Sequence, residues 1–150
     1  MAKLSWGKPK IEYGTSVDGA VAASFSEIML DIVENTSELS ITQGDKTEAK
    51  DEGGNVVDVR YNANSYEFAF EVYVKKNDTL PFQDTDGVIS GEYSVRLTGE
   101  DPQTPGFLMP VCHVSSETTW KSDIGKKVKY TFTGLKPANG KILQDYAASE

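Results

Sequence analysis

The sequence predicts a mainly β protein, an antiparallel β-sandwich or barrel of about eight strands with one short helix and one long polar loop. Several segments alternate apolar and polar residues with a period of two, as half-buried strands do. Turn-forming pairs such as Asp18-Gly19 and Asn139-Gly140 separate them. No internal repeat and no linker rich in Pro, Gly or Ser divides the chain, so residues 1–150 are expected to form a single domain.

Eight segments are predicted as strands. In chain order they are residues 10–13, 28–33, 38–42, 57–61, 65–75, 93–98, 108–117 and 127–133. Residues 65–75 give the clearest signal, because their aromatic and valine side chains share one face. Residues 28–33 are compatible with a helix, but their β-branched side chains favour a strand. Pro110 indicates an edge, a strand start or a bulge.

Two further predictions concern residues 57–61 and the short helix. Val57, Val59 and Tyr61 alternate with Asp58 and Arg60, which predicts a strand with a half-buried apolar face. The helix is predicted over residues 116–124, where Ser and Thr residues can cap its start and Gly125 can end it.

Composition excludes several classes of protein. The 150 residues carry a formal net charge of −8, with 15 Lys and Arg against 23 Asp and Glu. This balance argues against sequence-specific nucleic-acid binding, which needs cations to neutralise phosphates. One cysteine and one histidine exclude an internal disulfide and the usual Cys/His zinc cluster. With no long apolar stretch and no secretory signal in the N-terminal residues, we expect no membrane insertion and synthesis in a reducing cytosol.

The charge is unevenly distributed along the chain. Residues 34–55 hold six acids and two lysines, and residues 77–101 hold six acids and one arginine. Residues 102–141 hold six lysines and two acids. A solvated surface explains this pattern, but so does a subunit with one acidic side and one basic side, which can stack head-to-tail on copies of itself.

Residues 43–54 form the polar loop of this prediction. Ala49 is their only apolar residue, so they cannot fill a core. Long loops of this kind are usually functional or disordered, and a flexible surface loop is the alternative to a functional one.

Candidate catalytic groups are scarce. His113 and Cys112 are the only histidine and cysteine, and neighbours on a strand point to opposite faces, so they are not expected to meet. Cys112 is interpreted as a small buried apolar residue. The sequence Asp84-Thr85-Asp86-Gly87 lacks the remaining ligands of a calcium loop and is interpreted as a turn. We therefore expect a binding or structural protein, not an enzyme, with no cofactor and no metal.

Several segments together carry a resemblance to a known family. They are Trp-Gly-Lys-Pro-Lys-Ile-Glu-Tyr at 6–13, Ile-Val-Glu-Asn-Thr-Ser-Glu-Leu at 32–39, the polar stretch 44–58, the aromatic strand 66–74 and Gly-Leu-Lys-Pro at 134–137. In this order they resemble the small tail-tube (major tail) proteins of bacteriophages and prophages. That group is related in fold to the tube proteins of contractile injection systems and type VI secretion.

The resemblance implies a β-sandwich or barrel subunit with a flanking helix, which forms hexameric rings that stack into a hollow tube. It implies that sheets of neighbouring subunits join, and that a long loop, here residues 38–55, reaches the adjacent ring. The candidate inter-subunit residues are Asp45, Lys46, Glu48, Lys50, Asp51, Glu52, Gly53 and Gly54. Residues 44–54 are hypothesised to stay disordered in a free subunit and to order between rings.

The implied partners are other copies of the chain, tape-measure and tail-terminator proteins, and genome DNA that passes through the lumen without specific binding. The implied location is the host bacterial cytoplasm during assembly and then the virion tail. A monomeric β-sandwich binding module, adhesin-like or carbohydrate-binding, is the alternative. Such a module would present exposed aromatic side chains, for which Trp6 and Trp120 are candidates.

Overall fold

The computed structural model describes residues 9–34, 36–99 and 105–146. Within these ranges the chain forms ten strands, all paired antiparallel, and no helix. The strands are β1 (Lys10–Thr15), β2 (Ser26–Glu27), β3 (Glu38–Thr42), β4 (Lys46–Lys50), β5 (Val56–Tyr61), β6 (Ser65–Tyr73), β7 (Tyr93–Thr98), β8 (Gly106–Lys121), β9 (Gly125–Gly134) and β10 (Gln144–Tyr146). The predicted mainly β, antiparallel fold class is confirmed.

One large sheet has the strand order β2-β1-β7-β8-β9-β6-β3, and β10 pairs with β8 outside this order. The long strand β8 joins two halves of the sheet, because its first half pairs with β7 and β10 and its second half pairs with β9. The sheet folds over its own interior: the ring of Phe68 on β6 lies 5.0 Å from that of Phe107 on β8, although β9 separates these strands. The result is a sandwich-like arrangement.

The core follows the period-two pattern. Phe68, Phe70 and Val72 of β6 are buried. Their partners on the neighbouring strand β9 are, in the same order, Phe132, Tyr130 and Val128, and these are buried as well. Phe82, from the connection between β6 and β7, packs its ring against the rings of Tyr93, Tyr130 and Phe132. Full burial of such a side chain contributes about 1.5–3 kcal/mol, so this cluster is the main source of stability.

The prediction for Pro110 is confirmed as a bulge. The register of β7 against β8 shifts between Tyr93 and Val95, opposite Pro110. Proline has no N–H to donate to a neighbouring strand. The carbonyl oxygen of Pro110 accepts a hydrogen bond from the hydroxyl of Ser94.

The predicted helix over residues 116–124 is wrong. Strand β8 continues to Lys121, which pairs with Gly125 of β9, and residues 122–124 form the turn. Thr118, Thr119 and Trp120 are β-branched or aromatic, so they suit the strand better than the helix. Gly125 has φ +95°, a left-handed conformation that closes a short hairpin turn.

The predicted strand over residues 28–33 is also wrong. These residues cross from β1 to β6: the N–H of Ile28 donates to the carbonyl of Ile11, and that of Val33 to the carbonyl of Glu71. Ile32 makes one isolated bridge with Val72. The β-branched side chains are used for packing here, while the backbone changes partner along the segment.

Candidate inter-subunit arm

Strands β4 and β5 pair only with each other and form a separate two-stranded sheet. We call residues 45–61 the arm. The predicted inter-subunit residues all lie in it, namely Asp45, Lys46, Glu48, Lys50, Asp51, Glu52, Gly53 and Gly54. Residues 43–54, predicted as a long polar loop, include strand β4 (Lys46–Lys50) and a hairpin turn.

The turn of the arm is built by Asp51. Its carboxylate accepts a hydrogen bond from the backbone N–H of Asn55 at 2.9 Å, and its carbonyl accepts one from the N–H of Gly54. The bond from the Asn55 backbone is the main reason why the pKa of Asp51 lies below its usual value. Gly54 adopts φ +83°, which glycine reaches without steric cost. The Gly-Gly-Asn sequence at 53–55 therefore forms a hairpin turn, which connects strands β4 and β5.

At its base the arm continues the hairpin of β3 and β6 without a change of register. Thr42 pairs with Ser65, and four residues further along each strand Lys46 pairs with Tyr61. Between these pairs the N–H of Asn62 donates to the carbonyl of Asp45 at 2.9 Å. A Cβ at Gly44 would collide with the carbonyl oxygen of Asn62, so the two chains cross here more closely than a side chain permits.

The apolar row of β5 lies on the opposite face from the apolar row of β6. On β6 the buried side chains occupy even-numbered positions, such as Phe68 and Phe70, whereas on β5 the apolar side chains are Val59 and Tyr61. Since the register is continuous and side chains alternate, the two rows point to different sides of one hairpin. The core therefore cannot cover the row on the arm.

Exposure agrees with this geometry. Tyr61 is 67% exposed, Val57 is 68% exposed at the bulge of β5, and Val59 is half-buried. The strand predicted over residues 57–61 is confirmed, but of its predicted half-buried face only Val59 is half-buried, while Val57 and Tyr61 are exposed. The signal that could have revealed this is the change from odd-numbered to even-numbered apolar positions between residues 61 and 66.

Among the described residues, several strands have an unpaired edge, and two of these edges flank the central strands of the large sheet. β3 pairs only with β6, so its other edge has no strand beside it. Beyond Ser116, whose N–H donates to the carbonyl of Gly87, β8 has β9 on one side and no strand on the other. These edges bound the two sides of the strip β8-β9-β6-β3.

The polar groups considered for catalysis are separated. Cys112 is fully buried, and burial raises the pKa of its thiol to about 12. His113 is exposed on the opposite face of β8, as strand alternation predicts. The carboxylate of Asp84 accepts the N–H of Gly87 at 2.9 Å, so residues 84–87 form the predicted turn. In the part of the chain that the structure describes, no three His, Cys, Asp or Glu side chains are grouped as metal ligands.

Within residues 9–34, 36–99 and 105–146 there is no helix with the length and apolar character needed to cross a membrane. Trp6, one of the two candidate aromatic residues, lies outside these ranges, whereas Trp120 lies at the end of β8 and is largely exposed. Comparison of the sequence with models of known protein families finds no match. Comparison with curated proteins finds no match either.

Proposed function

We propose that this protein is a structural subunit of a phage-like tail tube, forming hexameric rings that stack into a hollow tube. The observation that carries the proposal is the exposed apolar row of the arm. Tyr61 lies on the face opposite to the buried row of β6, Val57 is exposed at the bulge, and the two-stranded hairpin that carries them has no core of its own. Burial of such side chains contributes about 1.5–3 kcal/mol each, so an arm of this kind gains stability by packing on another molecule.

The open strand edges support closure into a ring. An exposed strand edge presents unpaired backbone N–H and C=O groups, which can pair with other chains and cause aggregation of a free monomer. Pairing the open edge of β3 with the open half of β8 in a neighbouring copy satisfies both edges by a heterologous contact, and such contacts close into rings when the rotation permits. The subunit would then be assembled in the host bacterial cytoplasm and end in the virion tail, next to tape-measure and tail-terminator proteins.

The outward face of the strip suits a water-filled channel. The side chains of β9 on that face are Lys127, Lys129, Thr131 and Thr133, none of them apolar. Lys129 stands between Glu71 and Glu117 in the cross-strand register, so its charge is balanced by carboxylates on both neighbouring strands. A balanced surface lets DNA pass without specific binding.

The experiment is removal of the arm. Replacing residues 46–61 by Asn-Gly joins Asp45 to Asn62, which are already hydrogen-bonded, through a two-residue hairpin turn. Light scattering and negative-stain microscopy are expected to show rings or tubes for the wild type and a monomer for the deletion, with circular dichroism showing that the β fold is retained. A wild type that stays monomeric, or a deletion that still assembles, contradicts the proposal.

A matched pair of point variants tests the apolar row itself. Tyr61→Ser removes an apolar contact, whereas Arg60→Gln alters the neighbouring side chain on the other face of the arm. Assembly is expected to weaken with Tyr61→Ser and to persist with Arg60→Gln. Equal effects of the two changes would mean that the apolar face has no special role.

The exposure of Trp120 favours a second candidate, a monomeric module that binds carbohydrate through an aromatic side chain. A glycan array distinguishes the two: binding that is lost with Trp120→Ala in a monomeric protein supports the module. Absence of glycan binding together with ring formation supports the tube subunit.

A further inference from the structure

The arm and the turn between β8 and β9 lie at opposite ends of the strip. The arm continues from the end of β6 at Ser65, whereas Tyr73, at the other end, pairs with Lys127 near the β8–β9 turn. Nine residues of strand at about 3.3 Å per residue separate these ends by roughly 26 Å. The two ends therefore cannot meet within one molecule.

The β8–β9 end has an exposed apolar surface in a basic setting. We call residues 120–127 the tryptophan tip. Trp120 is 68% exposed and Ile124, in the turn, is 47% exposed. Lys121, Lys126 and Lys127 against the single acid Asp123 give the tip a net charge of +2.

The far end of the arm has the opposite character. In residues 50–58, Asp51, Glu52 and Asp58 against Lys50 give a net charge of −2. This end also exposes Val56 and Val57. Each end of the molecule thus combines an apolar pair, which is unfavourable in water, with charges that complement those of the other end.

We propose that the arm of one copy docks on the tryptophan tip of the next copy, so that subunits associate end to end along the strand direction. This inference rests on the proposed function, because it names the partner surface of the arm. The contact joins two different surfaces of the same chain. Such a heterologous contact leaves one free arm and one free tip on every dimer, so it propagates into a stack. The valines bury against Trp120 and Ile124, while the acids of the arm face the lysines of the tip.

Disulfide trapping tests the contact directly. One variant carries Gly53→Cys and a second carries Ser122→Cys, so that Val57 and Trp120 stay in place; the native Cys112 is buried and does not react readily. When mixed under mild oxidation, these variants are expected to form a cross-linked dimer at least about tenfold faster than Gly53→Cys mixed with Thr133→Cys. Thr133 is exposed on β9 at the arm end, so it is the matched control. Equal rates in both mixtures would overturn the proposed contact.

A charge exchange tests the same contact without new cysteines. Lys121→Glu is expected to weaken self-association about tenfold, and Glu52→Lys in the same chain is expected to restore it to within about threefold of wild type. Lys141→Glu makes the same change of net charge away from the tip and is expected to have little effect. Failure of the rescue overturns the contact.

The arm deletion separates the two levels of the proposal. If removal of the arm abolishes assembly while both tip experiments fail, the arm docks elsewhere and the proposed function stands. If removal of the arm leaves assembly intact, the proposed function fails, and the docking contact fails with it.

Discussion

β5 and β6 are consecutive strands with the same period-two alternation, yet their apolar faces end in different surroundings. On β6 the side chains of Phe70 and Val72 have no exposed surface, whereas on β5 those of Val57 and Tyr61 are mostly exposed. The register is unchanged from the Thr42–Ser65 pair of β3 and β6 to the Ala49–Asp58 pair of β4 and β5, and it shifts beyond that pair at the bulge. The difference arises because the apolar positions change from odd to even numbers between the two strands, which places the two apolar rows on opposite faces.

This comparison separates two uses of amphipathic strands. Alternation indicates that one face avoids water, but it does not indicate what covers that face. In β6 the cover is the core of the same molecule, whereas in β5 the described residues leave Val57 and Tyr61 mostly exposed. A strand whose alternation is out of phase with its hairpin partner is therefore a candidate for an intermolecular surface.

The largest effect that this comparison predicts is on thermodynamic stability. Phe70→Ala removes a fully buried ring that packs on Tyr130 and Phe132, and we expect it to lower the free energy of unfolding by about 3–5 kcal/mol. Tyr61→Ala removes a ring of similar size from the arm and should change the same quantity by less than about 0.5 kcal/mol. Urea unfolding of dilute monomers measures both. A similar loss for the two variants would show that the arm is part of the core.

A smaller effect is expected at the ion pair that ties β1 to β7. The guanidinium of Arg96 donates two hydrogen bonds of 3.0 Å to the carboxylate of Glu12, and its plane lies over the rings of Phe25 and Tyr146. Arg96→Met keeps much of the side-chain volume and should cost about 1.5–3 kcal/mol. No variant on the arm should cost as much, because the ion pair Lys46–Glu48 is more exposed.

The same pair predicts a pH dependence. The hydrogen bond from Arg96 lowers the pKa of Glu12 below its ordinary value of 4.5. A carboxyl whose pKa is depressed in the folded state contributes stability above its unfolded pKa, and this contribution is lost as pH falls through the folded pKa. The difference in stability between wild type and Arg96→Met is therefore expected to narrow as pH falls from about 7 to about 3. Thermal unfolding at each pH measures it, and a constant difference would contradict this role of Glu12.

The strands of the large sheet can be predicted from the sequence more completely than the strands of the arm. The strong alternation of residues 65–75 predicts β6 as a half-buried strand. This prediction suffices because the core of the same molecule covers the apolar face of β6. β4 was missed because Lys46, Glu48 and Lys50 are poor strand formers on their own, and the strand depends on the register carried over from β3 and on the Asp51 turn. The candidate inter-subunit residues fall together on the arm, and their role between subunits stays a prediction. Residues 57–61 are predicted as a strand with a half-buried apolar face, but alternation alone gives no information about the phase of that face relative to a partner strand, so it does not indicate which surface covers it.

The close approach of the two chains at the base of the arm predicts a change in both assembly and stability. Gly44→Ala places a Cβ against the backbone carbonyl of Asn62, so the two chains must separate and the direction of the arm must change. Gly53→Ala is the matched control, because its Cβ would meet only side-chain atoms at 3.4 Å. We expect Gly44→Ala to reduce assembly in sedimentation experiments and to lower the unfolding midpoint relative to Gly53→Ala, because backbone atoms must move to admit the Cβ. Equal assembly of both variants would mean that the direction of the arm does not matter.

The smallest predicted effect compares a buried hydroxyl with an exposed one. The hydroxyl of Tyr130 is buried and has no hydrogen-bond partner among the described residues, and burial raises its pKa to about 12. Tyr130→Phe removes an unsatisfied polar group, so we expect stability to stay equal or to rise by up to about 1 kcal/mol at neutral pH. Because the folded pKa lies above the ordinary value of 10.0, the wild type should lose stability as pH rises from about 10 to about 12, and the variant should lose less. Tyr61→Phe on the arm, whose side chain is largely exposed, should leave stability at neutral pH unchanged. A clear loss of stability in Tyr130→Phe at neutral pH would show that the hydroxyl is satisfied, for instance by an internal water.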